Sequence, residues 1–367
     1  MSAFTKPASN KACMLTGPNE VDVREFPLRD PGANDVVVKV ESTGLCGSDL
    51  HNYVHGGVGK PIEEPLVLGH ESAGTLSYVG EEAAEKGWKV GDRVAIEPTM
   101  YCSNCPNCEV GKTNVCREFK QASLAPTHGT LAEYYVAGSQ YIVKVPESIS
   151  WEEAGCIQPL AVAVQLAKRA KLTPGKTLAV FGCGPLGCMI MHVARALGIS
   201  KILAFDISPS RVAFINEHKL ASYAVVSHPT LQDENLTQWA ARFKADVLKE
   251  AGVEEWGVDV AVEAAGVEPV MHAAVAFVHP GGTYVQAGLG RPINSFPTLQ
   301  VVAKELDVIG TVRYTAGCFQ TAIDFMAEGK IDLKPMITKT YPLRESKEAL
   351  EAVKRGGDLK VVVMSQQ

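Results

Sequence analysis

The sequence predicts an α/β protein in two parts: a mostly-β region and a doubly wound parallel sheet. Three observations predict it. Short runs rich in valine and isoleucine, broken by Gly and Pro, fill residues 11 to 140, as in antiparallel or barrel-like β structure. From about Trp151 strand-like and helix-like runs alternate, which implies βαβ units. The length, 367 residues, suits two domains.

In the first region "DVVVKVES" (35–42) and "DRVAIEP" (92–98) read as strands. "EEAGCIQPLAVAVQLAKRA" (152–170) reads as an apolar-faced helix with Pro159 near its start. Then come the strand "TLAVFG", a helix over 185–197, the strand "KILAFD", a further helix, "ASYAVV", a helix around 236–251 and "VDVAVEAAG". "GGTYVQAG" (281–288), "LDVIGTV" (306–312), a helical segment and "DLKVVVM" finish the chain.

Gly182, Gly184 and Gly187 spell G-x-G-x-x-G in "VFGCGPLG". Alone the pattern is weak. Here a strand precedes it, a helix follows, and a second strand ends in Asp206, nineteen residues after the last glycine. That context is what a dinucleotide-binding (Rossmann) unit requires; the duller reading is a glycine-rich turn of another α/β fold, with Asp206 as a helix cap. The glycines permit a tight turn, close approach of the pyrophosphate and close helix packing, and the phosphates sit over a helix N-terminus. Asp206 can accept from both ribose hydroxyls and would repel a 2′-phosphate, which selects NAD over NADP.

Four of the ten cysteines, Cys102, Cys105, Cys108 and Cys116, fall at C-x2-C-x2-C-x7-C spacing. Four thiolates suit a closed, structural zinc site. An iron–sulfur cluster fits the same sulfurs, but nothing else in the sequence calls for electron transfer. A second group is Cys46 in "GLCGSDLH" with His70 and Glu71 in "VLGHESAG". A thiolate, an imidazole and a carboxylate can hold zinc with one position open. Singly, each has a duller reading: a small core residue, a turn histidine, a solvated charge. Asp49 is placed to orient a ligand histidine, and Ser48 and His51 are the group types that relay a proton.

These motifs resemble the zinc-containing medium-chain dehydrogenases, most closely the polyol branch of sorbitol, xylitol and L-arabinitol dehydrogenases. The matching stretches, in order along nearly the whole chain, are "TGLCGSDLH", "PLVLGHESAG", "GWKVGDRVAIEP", "CSNCPNCEVGKTNVC", "LAEYYV", "VFGCGPLG", "FDISPSR" and "GTVRY". The resemblance implies a GroES-like catalytic domain over 1–160 and 298–367, interrupted by a Rossmann domain over 161–297. It implies zinc ligands Cys46, His70 and Glu71, and NAD contacts from Pro185, Leu186, Arg211, Ala287, Gly288, Leu289, Val312 and Arg313. It places Arg313 and Tyr314 at the substrate. Two departures fall at the pocket: Gln158 replaces the family's glutamate, and Asn52 stands where an aromatic is usual.

The implied activity is reversible, zinc-dependent and NAD-linked oxidation of a polyol to its ketose, in a homotetramer or homodimer. Alternatives are oxidation of a simple diol or secondary alcohol such as butanediol, or a non-catalytic nucleotide-binding protein of the same fold. A net charge of −6 gives no reason to expect nucleic acid or an anionic membrane as partner. Without a signal-like segment, and with metal-spaced thiols, a cytoplasmic location is expected.

Overall fold

The structure, a computed structural model, describes residues 4–57, 62–228 and 230–367. It divides into two compact units: Met1–Ala161 with Thr315–Gln367, and Val162–Tyr314.

In the first unit β1 (Asp35–Gly44) is the central strand. Its alternate valines Val36, Val38 and Val40 pack on Leu76, Val94 and Ile96, the period of two that puts every second side chain in one core. α1 (Gly47–His55) follows directly, and β2 (Glu71–Val79) returns antiparallel to β1 with Glu71 opposite Gly44.

The long helix expected over 152–170 is broken in two, Trp151–Ala154 and α2 (Ile157–Arg169). A capping box at Ser150 and Glu153 starts the first piece. Pro159 falls in the first turn of α2, where a missing N–H removes no helical bond.

The second unit is a parallel sheet flanked by helices. Its elements are β3 (Thr177–Phe181), α3 (Pro185–Ala196), β4 (Lys201–Asp206), β5 (Tyr223–Val226), α4 (Leu236–Ala251), β6 (Val258–Glu263), α5 (Glu268–Phe277), β7 (Val278–Gln286) and β8 (Asp307–Gly310). Strand order is β5-β4-β3-β6-β7-β8. The order reverses beside β3, so the crevice outside the strands' carboxyl ends opens at the glycine loop. Phe181, Phe205, Phe243 and Phe277 fill the core with ring centroids 4.7–5.5 Å apart, in the range of favourable aromatic pairing. α4 keeps its expected bounds because Asn235 accepts from Thr237 and Gln238 at its start and Gly252 adopts a left-handed conformation at its end.

The return to the first unit comes later than position 298. β8 adds a sixth strand to the parallel sheet, and the unit runs to Tyr314. The last strand, β9 (Lys360–Met364), pairs antiparallel with β1 on the edge opposite β2, Val362 opposite Gly44.

Candidate metal centres and nucleotide site

Cys46 caps the N-terminus of α1, a helix that the turn-like "GLCGSDLH" did not announce. Its backbone N–H donates to Asp49 Oδ2 at 3.1 Å. Asp49 Oδ1 also accepts from the N–H of Gly69 at 3.1 Å and the hydroxyl of Ser123 at 2.9 Å, and lies 3.3 Å from His70 Nδ1. One buried carboxylate thus ties the Cys46 turn to the His70 turn. Burial alone would lower the pKa of His70, but Asp49 beside it outweighs this and holds it well above the usual value. A carboxylate that favours positive charge on an imidazole also favours a metal cation on its far nitrogen. That nitrogen, Nε2, is 3.4 Å from Ser48 Oγ. The ligand atoms of Cys46, His70 and Glu71 all lie within 4.8 Å of one another. Three donors of these types fit a zinc ion with a position to spare.

Glu71 carries a partner that no local motif reveals. Lys360, from β9, donates from Nζ to Glu71 Oε2 and, at 2.9 Å, to the carbonyl of Leu45. Both side chains are buried. Burial would lower the Lys360 pKa, yet Glu71 more than reverses this and raises it. The pair exists because β2 and β9 flank β1 on opposite edges near Gly44.

His51 lies exposed on α1 with its ring tilted against that of His55, centroids 4.6 Å apart. Asn52 is buried, and its Nδ2 donates to the carbonyl of Ser123 at 3.0 Å. Half of its amide is therefore spent on holding a loop. Gln158 is buried in the first turn of α2. Cys156, two residues earlier, feels the charges of Lys360 and Glu71, so this helix start borders the same cluster.

The four clustered cysteines do converge. Sulfur–sulfur distances are 3.6 Å for Cys105–Cys108, 4.0 Å for Cys105–Cys116 and 3.5 Å for Cys116–Cys102. Tetrahedral sulfurs bound to zinc stand about 3.8 Å apart. The N–H groups of Cys102 and Glu118 donate to Cys116 Sγ at 3.3 and 3.4 Å. Backbone N–H groups of Arg117 and Cys108 pull the Cys105 thiol down towards thiolate, the form a metal needs.

In the second unit Gly184 caps α3 and Pro185 opens it. A Cβ on Gly187 would lie 1.8 Å from the carbonyl oxygen of Gly182, so only glycine lets α3 pack on the loop. Leu186 follows in the first turn. Asp206 accepts from Cys183 N–H at 2.7 Å and Ser208 N–H at 2.8 Å, one on each oxygen. Each oxygen keeps a lone pair for a further donor. Arg211 stands 3.6 Å from Asp206. Ile207, directly after it, is 81% exposed; sequence reasoning passed over it, although an apolar residue just past the strand's acidic end was there to be read. Ala287, Gly288 and Leu289 follow β7, and Val312, Arg313 and Tyr314 follow β8. Arg313 is held at φ +52°, a conformation rare outside glycine.

Comparison with known proteins agrees with this fold. The alcohol dehydrogenase GroES-like domain model matches residues 32–147, and the zinc-binding dehydrogenase model matches residues 185–328. The chain therefore belongs to the zinc-binding alcohol dehydrogenase family, the medium-chain dehydrogenases, and is an oxidoreductase. It is 38% identical to D-xylulose reductase A of Aspergillus oryzae over 99% of both chains. A probable D-xylulose reductase A of Aspergillus clavatus is equally similar, at 38% over 99% of each. Among solved structures, L-idonate 5-dehydrogenase of Escherichia coli superposes with a TM-score of 0.85 at 28% identity, covering 98% of this chain and 99% of that one. The 2R,3R-butanediol dehydrogenase of Bacillus subtilis does so with 0.84 at 27%, covering 97% and 100%. Among the described residues no helix is long and apolar enough to cross a membrane.

Proposed function

We propose that the chain oxidises a secondary hydroxyl of a sugar alcohol to the ketose, reversibly, with NAD as hydride acceptor. The three-donor cluster Cys46, His70 and Glu71 carries the reading, because it leaves a position for a substrate oxygen. Cys46, His70 and Glu71 would hold the catalytic zinc, and Cys102, Cys105, Cys108 and Cys116 a structural one. Bound zinc would supply Lewis acidity at the hydroxyl oxygen, and bound NAD the hydride acceptor.

Asp49 keeps the proton on His70 Nδ1 and leaves Nε2 as the donor atom. Ser48 relays the hydroxyl proton, releasing its own as it accepts, and His51, exposed on the same helix, passes a proton to solvent. Gly182, Gly184, Pro185, Leu186 and Gly187 hold the pyrophosphate. Asp206 holds the ribose, with Arg211 and Ile207 on the adenosine side. Ala287, Gly288, Leu289, Val312 and Arg313 complete the cofactor site. Gln158, Asn52, Arg313 and Tyr314 face the substrate, Asn52 with the half of its amide that Ser123 leaves free. Ten cysteines in the thiol form suit a reducing, cytoplasmic setting.

The names of the full-length relatives make xylitol and D-xylulose the first pair to test, and the butanediol dehydrogenase makes a simple diol the rival. In steady-state NAD reduction across xylitol, sorbitol, arabinitol, galactitol and butanediol, one of the polyols should exceed butanediol in kcat/KM by at least about tenfold. Butanediol as the best substrate would reverse the reading.

Two further results are expected. Wild type should prefer NAD to NADP by at least about a hundredfold, and Asp206→Ser should narrow this below about tenfold; equal use of both cofactors by wild type contradicts the role of Asp206. Cys105→Ala should cut zinc from two ions per chain to one and lower the melting temperature by at least about 5 °C. An unchanged midpoint would deny that site a structural role.

Self-association is part of the proposal. β8 is an edge strand, and Val308 on it is exposed, as are Leu299 and Val302 in the helix just before it. Such an edge invites pairing with a second copy, and sedimentation should report a dimer or tetramer.

A further inference from the structure

Glu263 closes β6 with its side chain fully buried, and none of the roles above uses it. Its Oε1 accepts from the N–H groups of Ala265 at 2.8 Å and Gly266 at 2.6 Å. Its Oε2 accepts from Gln286 Nε2 at 2.6 Å. The same amide nitrogen donates to the carbonyl of Gly288 at 2.8 Å, and the Tyr284 hydroxyl donates to the oxygen of Gln286. The backbone carbonyl of Glu263 accepts from Ala287 and Gly288, each at 2.9 Å. One residue therefore fastens two loops, 264–266 after β6 and 287–290 after β7.

The loops meet backbone to backbone. A Cβ on Gly288 would lie 2.2 Å from Gly266 N and 2.6 Å from Glu263 Oε2. Loop 264–266 also borders the phosphate loop. The N–H of Ala264 donates to the Phe181 carbonyl at 2.8 Å, and a Cβ on Gly182 would come within 3.1 Å of Ala264 and Ala265. Burial pushes the Glu263 carboxyl up, against the pull of its donors. A carboxylate placed at that cost holds its partners firmly only if all its donors are kept.

Strand order says what the loops serve. A dinucleotide lies across the carboxyl ends of the strands at the switch point. With Asp206 at the end of β4 on the adenosine ribose, the nicotinamide half falls over β6 and β7. We propose that Glu263, with Gln286, is a positioning residue for the nicotinamide half of the cofactor: it touches no reacting atom and presets the two loops on which that half rests. This inference rests on the NAD reading above.

The test measures two affinities on the full chain: NADH by fluorescence titration, and AMP, which fills only the adenosine half, by competition. Glu263→Gln sets an amide nitrogen against either Gln286 Nε2 or the two loop N–H groups. It should weaken NADH about tenfold and AMP by less than about twofold. Gln286→Met, which removes one donor and keeps the length, should weaken NADH by a smaller factor and spare AMP; it stands in if Glu263→Gln does not fold. Equal losses of NADH and AMP would mean general damage to the unit and overturn the proposal. So would unaltered NADH affinity in Gln286→Met, or in both variants, while wild type binds NADH. A wild type that binds no NADH would sink the cofactor reading itself, and the clamp with it.

Discussion

Cys46→Ser and His70→Ala are each expected to cut polyol-dependent NAD reduction by at least about a thousandfold. Zinc should fall from two ions per chain to one; the melting temperature of Cys46→Ser should stay near that of wild type, while His70→Ala, which takes a partner from buried Asp49, should lower it and leave the chain folded. The reason lies in how the cluster is held. Asp49 collects donors from Cys46, Gly69 and Ser123 through its own two oxygens and faces His70, so the scaffold around the ligand atoms survives loss of either one. The two variants therefore remove donors from a cluster of three without unpicking the fold. Zinc content and circular dichroism, measured on the same preparations as activity, separate a lost metal from a lost structure. Retained turnover at one zinc per chain would contradict the assignment of these ligands.

Lys360→Met should be the most destabilising single change near the site. It strands a Glu71 carboxylate that is 1% exposed, and breaking a buried pair from one side costs about 3–5 kcal/mol. Metal-free protein should show the whole loss as a lower melting temperature. Zinc at Glu71 should restore part of it, because a bound cation replaces the missing ammonium. Lys360→Arg, which keeps the charge, should lose much less. The double variant Lys360→Met with Glu71→Gln should recover most of the stability, since no charge is left unpaired. A double variant as unstable as Lys360→Met alone would mean that packing, not the ion pair, sets the cost.

What the sequence revealed follows the range over which each feature is encoded. G-x-G-x-x-G, Asp206 and the four clustered cysteines are local, so spacing alone reports them. α4 was legible at both ends because Asn235 is a strong start signal and Gly252 a strong stop signal. Cys46, His70 and Glu71 were legible as residue types in glycine settings, and their convergence depends on β1 and β2 lying side by side. Lys360 was not legible. It reaches Glu71 from 289 residues away, through a C-terminal strand whose partner no local pattern names. Asn52 looked like a pocket residue, and the Ser123 carbonyl that engages it belongs to a distant loop. Glu263 read as the end of a buried strand, and its role shows only when two loops are seen to share it.

The central claim joins zinc, NAD and a polyol in one reaction. Its most direct test is NADH formation from xylitol and the other polyols, before and after chelation of the metal and after zinc is returned. The account predicts activity below about 1% in stripped protein, with recovery when zinc reaches two ions per chain. Undiminished NADH formation by protein shown to hold no metal would contradict it.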